Sequence, residues 1–307
     1  MPSIKRMQRT RRNGAQKMTR LIARPGNRLL LKGELWMNPE VLGAFGFNND
    51  LKGRIAFLSS IGADTCFLPW DDSFSPAHLK QMKEQASQAR LALGITLDGP
   101  FQRLAKKEDL TSLLLQLGRE PHHLSPSLDQ TTEETADIVE KAGSAGIELV
   151  ILGEDLAYRD NLYFSPALFS EILLPCYRSL VKTLPSKRFA LGWHSDGDVS
   201  AILADLVNCG FRFFSLEAEC VDLLAFKRTH GPRVTLVGGL RTDWLHADMT
   251  DAHLAQECLS EIRSLLKEGG FILSSSCGLH DLAFPHRLKR IYRLLDEAPT
   301  SLEKGHP

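Results

Sequence analysis

Eight short, almost continuously apolar runs, each closing on polar or charged residues and each followed by a stretch with helical spacing, leave this chain few folds to adopt. The runs lie near residues 29–34, 64–69, 92–98, 147–153, 188–194, 212–217, 233–239 and 271–276. A strand that is apolar at successive positions is buried on both faces, as in a parallel sheet covered by helices. Amphipathic stretches at 77–91, 104–117, 131–145, 166–183, 198–209, 221–229, 251–268 and 284–297 supply the helices. Several have readable ends: Thr250 or Asp251 caps the helix that Gly269-Gly270 stops, and Ser165-Pro166 reads as an N-cap followed by proline in the first turn. The expected fold is α/β, a single (β/α)8 barrel of the TIM type. A doubly wound open sheet is the alternative. It would normally carry a glycine-rich phosphate turn, and neither GxGxxG nor GxxxxGK[ST] occurs.

Charge divides the chain unequally. The formal net charge is zero, yet residues 1–28 hold nine Lys/Arg and no Asp or Glu, leaving 28 basic against 37 acidic residues in the remainder. An acidic body argues against nucleic acid as a partner. The expected organisation is a basic, unfolded N-terminal tail over 1–28, the barrel over 29–298 and a C-terminal tail over 299–307. Met18 is an alternative start. No stretch reaches the length of a membrane span, so the expectation is a soluble, cytoplasmic protein with no membrane partner. Six cysteines without CxxC spacing give no disulfide framework, and most read as buried thiols.

In such a barrel the chemistry belongs at the C-terminal ends of the strands. Those ends read Glu34, Trp70-Asp71-Asp72, Asp98, Glu154-Asp155, His194-Ser195-Asp196, Glu217 with Glu219, Arg241, and Cys277 with His280-Asp281. His194 and Asp196 stand two residues apart, so both can point the same way from one strand. With Cys277 they offer nitrogen, oxygen and sulfur donors, a set that suits zinc with a fourth position left for water or substrate. The plainer reading makes His194 a hydrogen-bonded rim residue and Cys277 a buried thiol. Of the adjacent carboxylates Glu154 and Asp155, which can also serve as helix caps, Glu154 is the stronger catalytic candidate.

Three longer segments carry a resemblance. GEDLAYRDNLYFSPALFSEILLPCYRSLVKTL, WHSDGDVSAILADLVNCGFRFFSLEAE and VTLVGGLRT are similar to the C-terminal two-thirds of the uroporphyrinogen decarboxylase superfamily, with LDGPFQRLA a weaker match. The resemblance extends over roughly residues 29–296 and implies the same barrel. The superfamily includes the decarboxylases and the cobalamin-dependent methyltransferases. Its zinc-type methyltransferases bind metal through an HxC motif after the fifth strand and a Cys after the eighth; His194 and Cys277 match, and Asp196 stands where the pattern has Cys. Asp keeps the charge of a thiolate on a harder donor. The decarboxylases carry an RQAGRY-type segment near the N-terminus, and MTRLIARPGNRLLLKGELW contains none. A porphyrinogen bears many carboxylates and calls for a basic site, whereas these strand ends are mainly acidic.

The resemblance therefore implies a cobalamin-dependent methyltransferase that moves a methyl group between a corrinoid and a thiol or oxygen (ether or alcohol) substrate, with zinc as the metal and a corrinoid-binding protein as a possible partner. Under this hypothesis His194, Asp196 and Cys277 hold the metal, and Glu154, His194 and Glu217 are the catalytic candidates, Glu154 as a general acid or base or an extra ligand. Glu34 and Glu217 would shape the mouth, and His280 and Asp281 would orient a ligand. Uroporphyrinogen decarboxylase, in porphyrin biosynthesis, is the enzymatic alternative. A corrinoid- or porphyrin-binding barrel without catalysis is the other.

Overall fold

The computed structural model describes residues 13–183, 189–246 and 250–297. Residues 1–12 of the expected basic arm, Arg188 at the head of the fifth expected strand, residue 298 and the expected tail 299–307 lie outside the described residues. The strands are β1 Leu30–Lys32, β2 Thr65–Pro69, β3 Ala92–Asp98, β4 Leu149–Gly153, β5 Ala190–Ser195, β6 Phe213–Leu216, β7 Thr235–Leu240 and β8 Phe271–Ser275. All pair in parallel, in the order β1-β8-β7-β6-β5-β4-β3-β2. Between β1 and β2 the closure runs through Asp64. Its N–H donates to Lys32 O at 2.6 Å, while its carboxylate accepts from Lys32 N at 3.1 Å and from Lys17 Nζ at 3.0 Å. The result is the expected single, nearly closed (β/α)8 barrel.

Helices cover it: α1 Gly14–Ala23, α2 Pro39–Ala44, α3 Leu51–Ile61, α4 Pro76–Gln88, α5 Pro100–Glu108, α6 Leu110–Arg119, α7 Ser125–Ser144, α8 Pro166–Leu168, α9 Leu174–Lys182, α10 Leu203–Cys209, α11 Leu223–His230, α12 Thr242–His246, α13 Asp251–Lys267 and α14 Phe284–Glu297. Among the described residues no helix is long and apolar enough to cross a membrane. All six cysteines are free.

Strand alternation sorts the core into two layers. Leu31, Phe67, Ala92, Leu149, Ile151, Ala190, Phe213, Val237 and Ile272 fill the barrel interior. Their neighbours, among them Cys66, Leu68, Val150, Leu152, Leu191, Phe214, Leu236 and Leu273, face the helices. Successive side chains on a strand point to opposite faces, so each interior residue fixes the direction of those two positions further along. Carried past Ile151 and Ala190, that parity sends Asp155, His194 and Asp196 over the barrel axis and Glu154 outward.

The interior cluster also contains Met18, Leu21 and Ile22 of α1, each at most 1% exposed. Asn13 caps this helix by accepting from Gln16 N at 3.0 Å. Three apolar residues at i, i+3 and i+4 then form one face, which covers the N-terminal end of the barrel. The expected unfolded arm is thus corrected over the described part of residues 1–28. Its cationic residues Lys17 and Arg20 alternate with the apolar ones and mask a short amphipathic helix.

Other differences from expectation have local causes. The stretch 104–117 divides into α5 and α6 at Asp109, whose φ is +75° and whose carboxylate accepts from Ser112 N at 3.1 Å to begin the second helix. Ser165 caps α8 as expected, accepting from Leu168 N at 3.2 Å. A π-helical turn, Phe169–Leu173, precedes α9. Pro175, in the first turn of α9, has no N–H for the ladder, and the wider turn accommodates that loss. Thr250 is the cap of α13, accepting from His253 N at 3.3 Å.

Candidate metal centre at the barrel mouth

A cavity of about 310 Å³ opens at the C-terminal ends of the strands, lined by Trp36, Asp98, Gln102, Lys106, Gly153, Asp155, His194, Asp196 and Cys277. The last residues of β5 supply its centre. His194 is 6% exposed and its Nδ1 lies 3.0 Å from Ser215 Oγ on β6. The tautomer in which Nδ1–H donates to that hydroxyl leaves the Nε2 lone pair facing the cavity. Nε2 stands 3.8 Å from Asp196 Oδ1 and 4.0 Å from Asp155 Oδ1. One ligand atom from each of Asp155, His194 and Asp196 lies within 4.8 Å of the others. That is the spacing of donors that share one cation.

Backbone contacts hold the two loops together. Asp196 N donates to Asp155 Oδ1 at 3.3 Å, Leu156 N to Ser195 Oγ at 3.1 Å, and Asp198 N to Tyr158 O at 3.0 Å. Gly197 has φ +79°, and a Cβ there would overlap the Tyr158 carbonyl oxygen, so only glycine lets the loops approach this closely. Gly197 N in turn donates to Glu217 Oε2 at 2.8 Å.

The field of this mouth is negative. The Asp196 carboxyl is held above its usual range, first by burial; His194 opposes the shift, and Asp155, Glu217 and Glu219 add to it. Burial also pushes the Cys277 thiol up to about 11, against a hydrogen bond from Thr242 and with the help of Asp196, Glu217 and Glu219. Glu219 Oε2 is buried and has no hydrogen-bond partner among the described residues. The cavity's one lysine, Lys106, is bound to Asp98 at 2.5 Å. Crowded carboxylates beside a histidine nitrogen fit a divalent cation, whose charge would offset their repulsion. Nitrogen and carboxylate oxygen are both ordinary zinc ligands.

The structure distributes the expected site residues unevenly. His194 and Asp196 come together as expected, with Asp155 as the third member of the group. Cys277 lines the same cavity but outside that group; its Sγ is 4.0 Å from Glu217 Oε1 and 3.9 Å from Thr242 Oγ1. Glu217 lies on the interior side of β6, beside the group. Glu154 does not line the cavity. It is fully buried, accepts from Phe101 N at 3.2 Å, Gln102 N at 2.8 Å and Tyr177 Oη at 3.0 Å, and so caps α5, whose own N-cap Gly99 has no side chain. Burial pushes its carboxyl up to about 8 despite those three donors.

Glu34, just after β1, is the counterpart of Glu154. It is fully buried, bound by Ser275 N at 3.1 Å, Ser275 Oγ and Tyr292 Oη at 3.2 Å, and pushed up to about 8 by burial. It therefore ties β1, β8 and α14 together rather than shaping the mouth. His280 Nδ1 lies 3.2 Å from Gly278 O, its ring packs on Phe284, and Asp281 accepts from Ala283 N at 2.8 Å. These contacts engage both side chains in the loop before α14. The residue that the sequence ranked below its neighbour, and that the structure brings into the group, is Asp155. Parity was the signal that could have found it, since it shares the interior side with Leu149 and Ile151.

Residues 79–297 match the family described as Uroporphyrinogen decarboxylase (URO-D). The chain belongs to that family. Among curated proteins it is similar to the methylcobamide:CoM methyltransferase MtaA of Methanosarcina barkeri, 26% identical over 175 residues, or 56% of this chain and 48% of that protein. The match thus spans about half the length of that relative. Among solved structures, a methyltransferase from Methanosarcina mazei superposes with a TM-score of 0.73 at 14% identity, covering 93% of this chain and 98% of that one. A putative vitamin-B12 independent methionine synthase from Listeria monocytogenes superposes with a TM-score of 0.52 at 13% identity, covering 89% and 98%. Both superpositions show the shared barrel.

Proposed function

We propose that this URO-D family barrel is a corrinoid-linked methyltransferase, moving a methyl group between a methylated corrinoid and a thiol or oxygen (ether or alcohol) substrate. The observation that carries the reading is the group Asp155, His194 and Asp196, with ligand atoms within 4.8 Å at the strand ends of a chain similar to a methyltransferase. These three residues would hold a divalent cation, zinc in this reading. Bound there, zinc supplies Lewis acidity that lowers the pKa of an acceptor's S–H or O–H.

The remaining chemistry falls to the chain. Ser215 fixes the ring of His194, and Gly197 N holds Glu217 beside the group. In transfer to a thiol or hydroxyl, the acceptor's proton goes to Glu217. The acceptor's electron pair forms the new bond to the methyl carbon, and the carbon–cobalt pair stays on the corrinoid. Cys277 and Trp36 wall the cavity around the acceptor. A nitrogen and two carboxylates are harder donors than a thiolate pair, which favours an oxygen acceptor over sulfur. The acidic lining opposes a polycarboxylate porphyrinogen. A corrinoid-binding protein is the natural partner, and six free thiols accord with a cytoplasmic setting.

The test is anaerobic incubation of the full, zinc-supplemented chain with methylcobalamin and a panel of thiols, alcohols and phenols, followed by absorbance. The reading expects acceptor-dependent loss of methylcobalamin, abolished in His194→Ala. Methylcobalamin binding with no acceptor-dependent demethylation would contradict it. Conversion of uroporphyrinogen to coproporphyrinogen would replace it with decarboxylation.

A further inference from the structure

A second, larger cavity of about 540 Å³ lies between α3 and α4 and shares no lining residue with the mouth. On the α3 side stands Arg54, 6% exposed. Its Nε and Nη2 both donate to Asn49 Oδ1, at 3.1 and 2.6 Å. Nη1 has no partner, and the guanidinium forms no ion pair, among the described residues. Behind it sits the Cys66 thiol, which burial pushes up to about 12 and so keeps neutral. The two lining aspartates are engaged by backbone and form no ion pair with Arg54: Asp50 accepts from Gly53 N at 2.7 Å, and Asp71 from Ser73 N at 2.8 Å. A guanidinium buried with only an amide oxygen for company lacks the countercharge that ordinarily offsets its desolvation.

The α4 side is aromatic. Trp70 and Phe74 meet edge to face with ring centroids 5.6 Å apart, and Phe74 and His78 repeat the contact at 5.6 Å. The cavity is of the size that small organic ligands fill.

We propose that this cleft is a second binding site, for a small organic molecule that presents an oxyanion, carboxylate or phosphate, to Arg54 and lays a flat apolar body against Trp70 and Phe74. A guanidinium hydrogen-bonds and neutralises either oxyanion, and its unused Nη1 is the donor left for it. The site takes no part in the methyl-transfer chemistry, so it stands or falls separately from that reading.

Calorimetric titration of the full chain with benzoate and, separately, inorganic phosphate tests it. The expected result is saturable one-to-one binding of at least one probe. Benzoate as the tighter probe assigns the site to carboxylates, and phosphate as the tighter one assigns it to phosphates. Arg54→Met should weaken the bound probe by at least about tenfold. Gln85→Trp, which fills the cleft and leaves the guanidinium in place, should do the same and carries the test alone if Arg54→Met does not fold. Absence of saturation for both probes at about 10 mM, an affinity far weaker than small-molecule sites show, would overturn the proposal. So would binding that neither variant weakens.

Discussion

Glu34 and Glu154 show what one position of strand parity does to a carboxylate. Each sits beside an interior-facing residue, points instead into the layer between sheet and helices, and meets a tyrosine there, Tyr292 or Tyr177. Burial outweighs the donated hydrogen bonds at both. For Glu34, pushed up to about 8 in the fold against an ordinary glutamate value of 4.5, the folded chain keeps between these pH values a proton that the unfolded chain has released. Its contribution to stability is full below about pH 4.5 and is lost as pH rises toward 8, by at most about 1.4 kcal/mol per pH unit. Urea denaturation at pH 5 and pH 8 should therefore show the wild type losing stability across the interval. Glu34→Gln should lose less, by at least about 1 kcal/mol; an equal loss would mean that Glu34 is ionised in the folded state. Types and spacing alone ranked Glu154 above Asp155 in sequence, the reverse of what the barrel shows. Only the identity of the interior residues, Leu149 and Ile151, separates the helix cap from the cavity carboxylate, and that identity follows from how the barrel closes.

At the scale of elements, the eight strands were legible because burial on both faces demands apolar runs that little else in the chain imitates. Helix ends were legible where a capping side chain marks them, as Ser165 and Thr250 do. The break at Asp109 was not, since a non-glycine residue at φ +75° carries no compositional mark. Helix α1 was hidden by its charges: three apolar side chains suffice to cover the barrel's end, and a composition average reads the segment as unfolded. Its packing makes a sharp prediction. Leu21→Ala removes a fully buried side chain from the interior cluster and should lower unfolding free energy by roughly 2–4 kcal/mol, measured by urea denaturation. A change below about 0.5 kcal/mol, the size typical of exposed positions, would return residues 14–23 to the status of an arm.

The mouth cavity and the second cleft lie in different layers of the molecule, one over the barrel axis and one between α3 and α4. The superfamily resemblance located the first through His194 and Asp196, and the Asp that replaces Cys has a physical counterpart in the structure. Beside the carboxylate at position 196 a second one, Asp155, lies within ligand distance, whereas Cys277 stands on the wall beside Glu217. In the proposed function this is a nitrogen–oxygen set in place of a sulfur-rich one, which favours an oxygen acceptor. Zinc content and X-ray absorption at the zinc edge, on purified wild type and Asp196→Ala, test this most directly. The wild type should carry about one zinc per chain in a sphere of nitrogen and oxygen only, with at least about tenfold weaker retention in the variant. A protein that neither carries nor takes up zinc would contradict the metal centre, and a sulfur neighbour at about 2.3 Å would contradict the place given to Asp155 over Cys277.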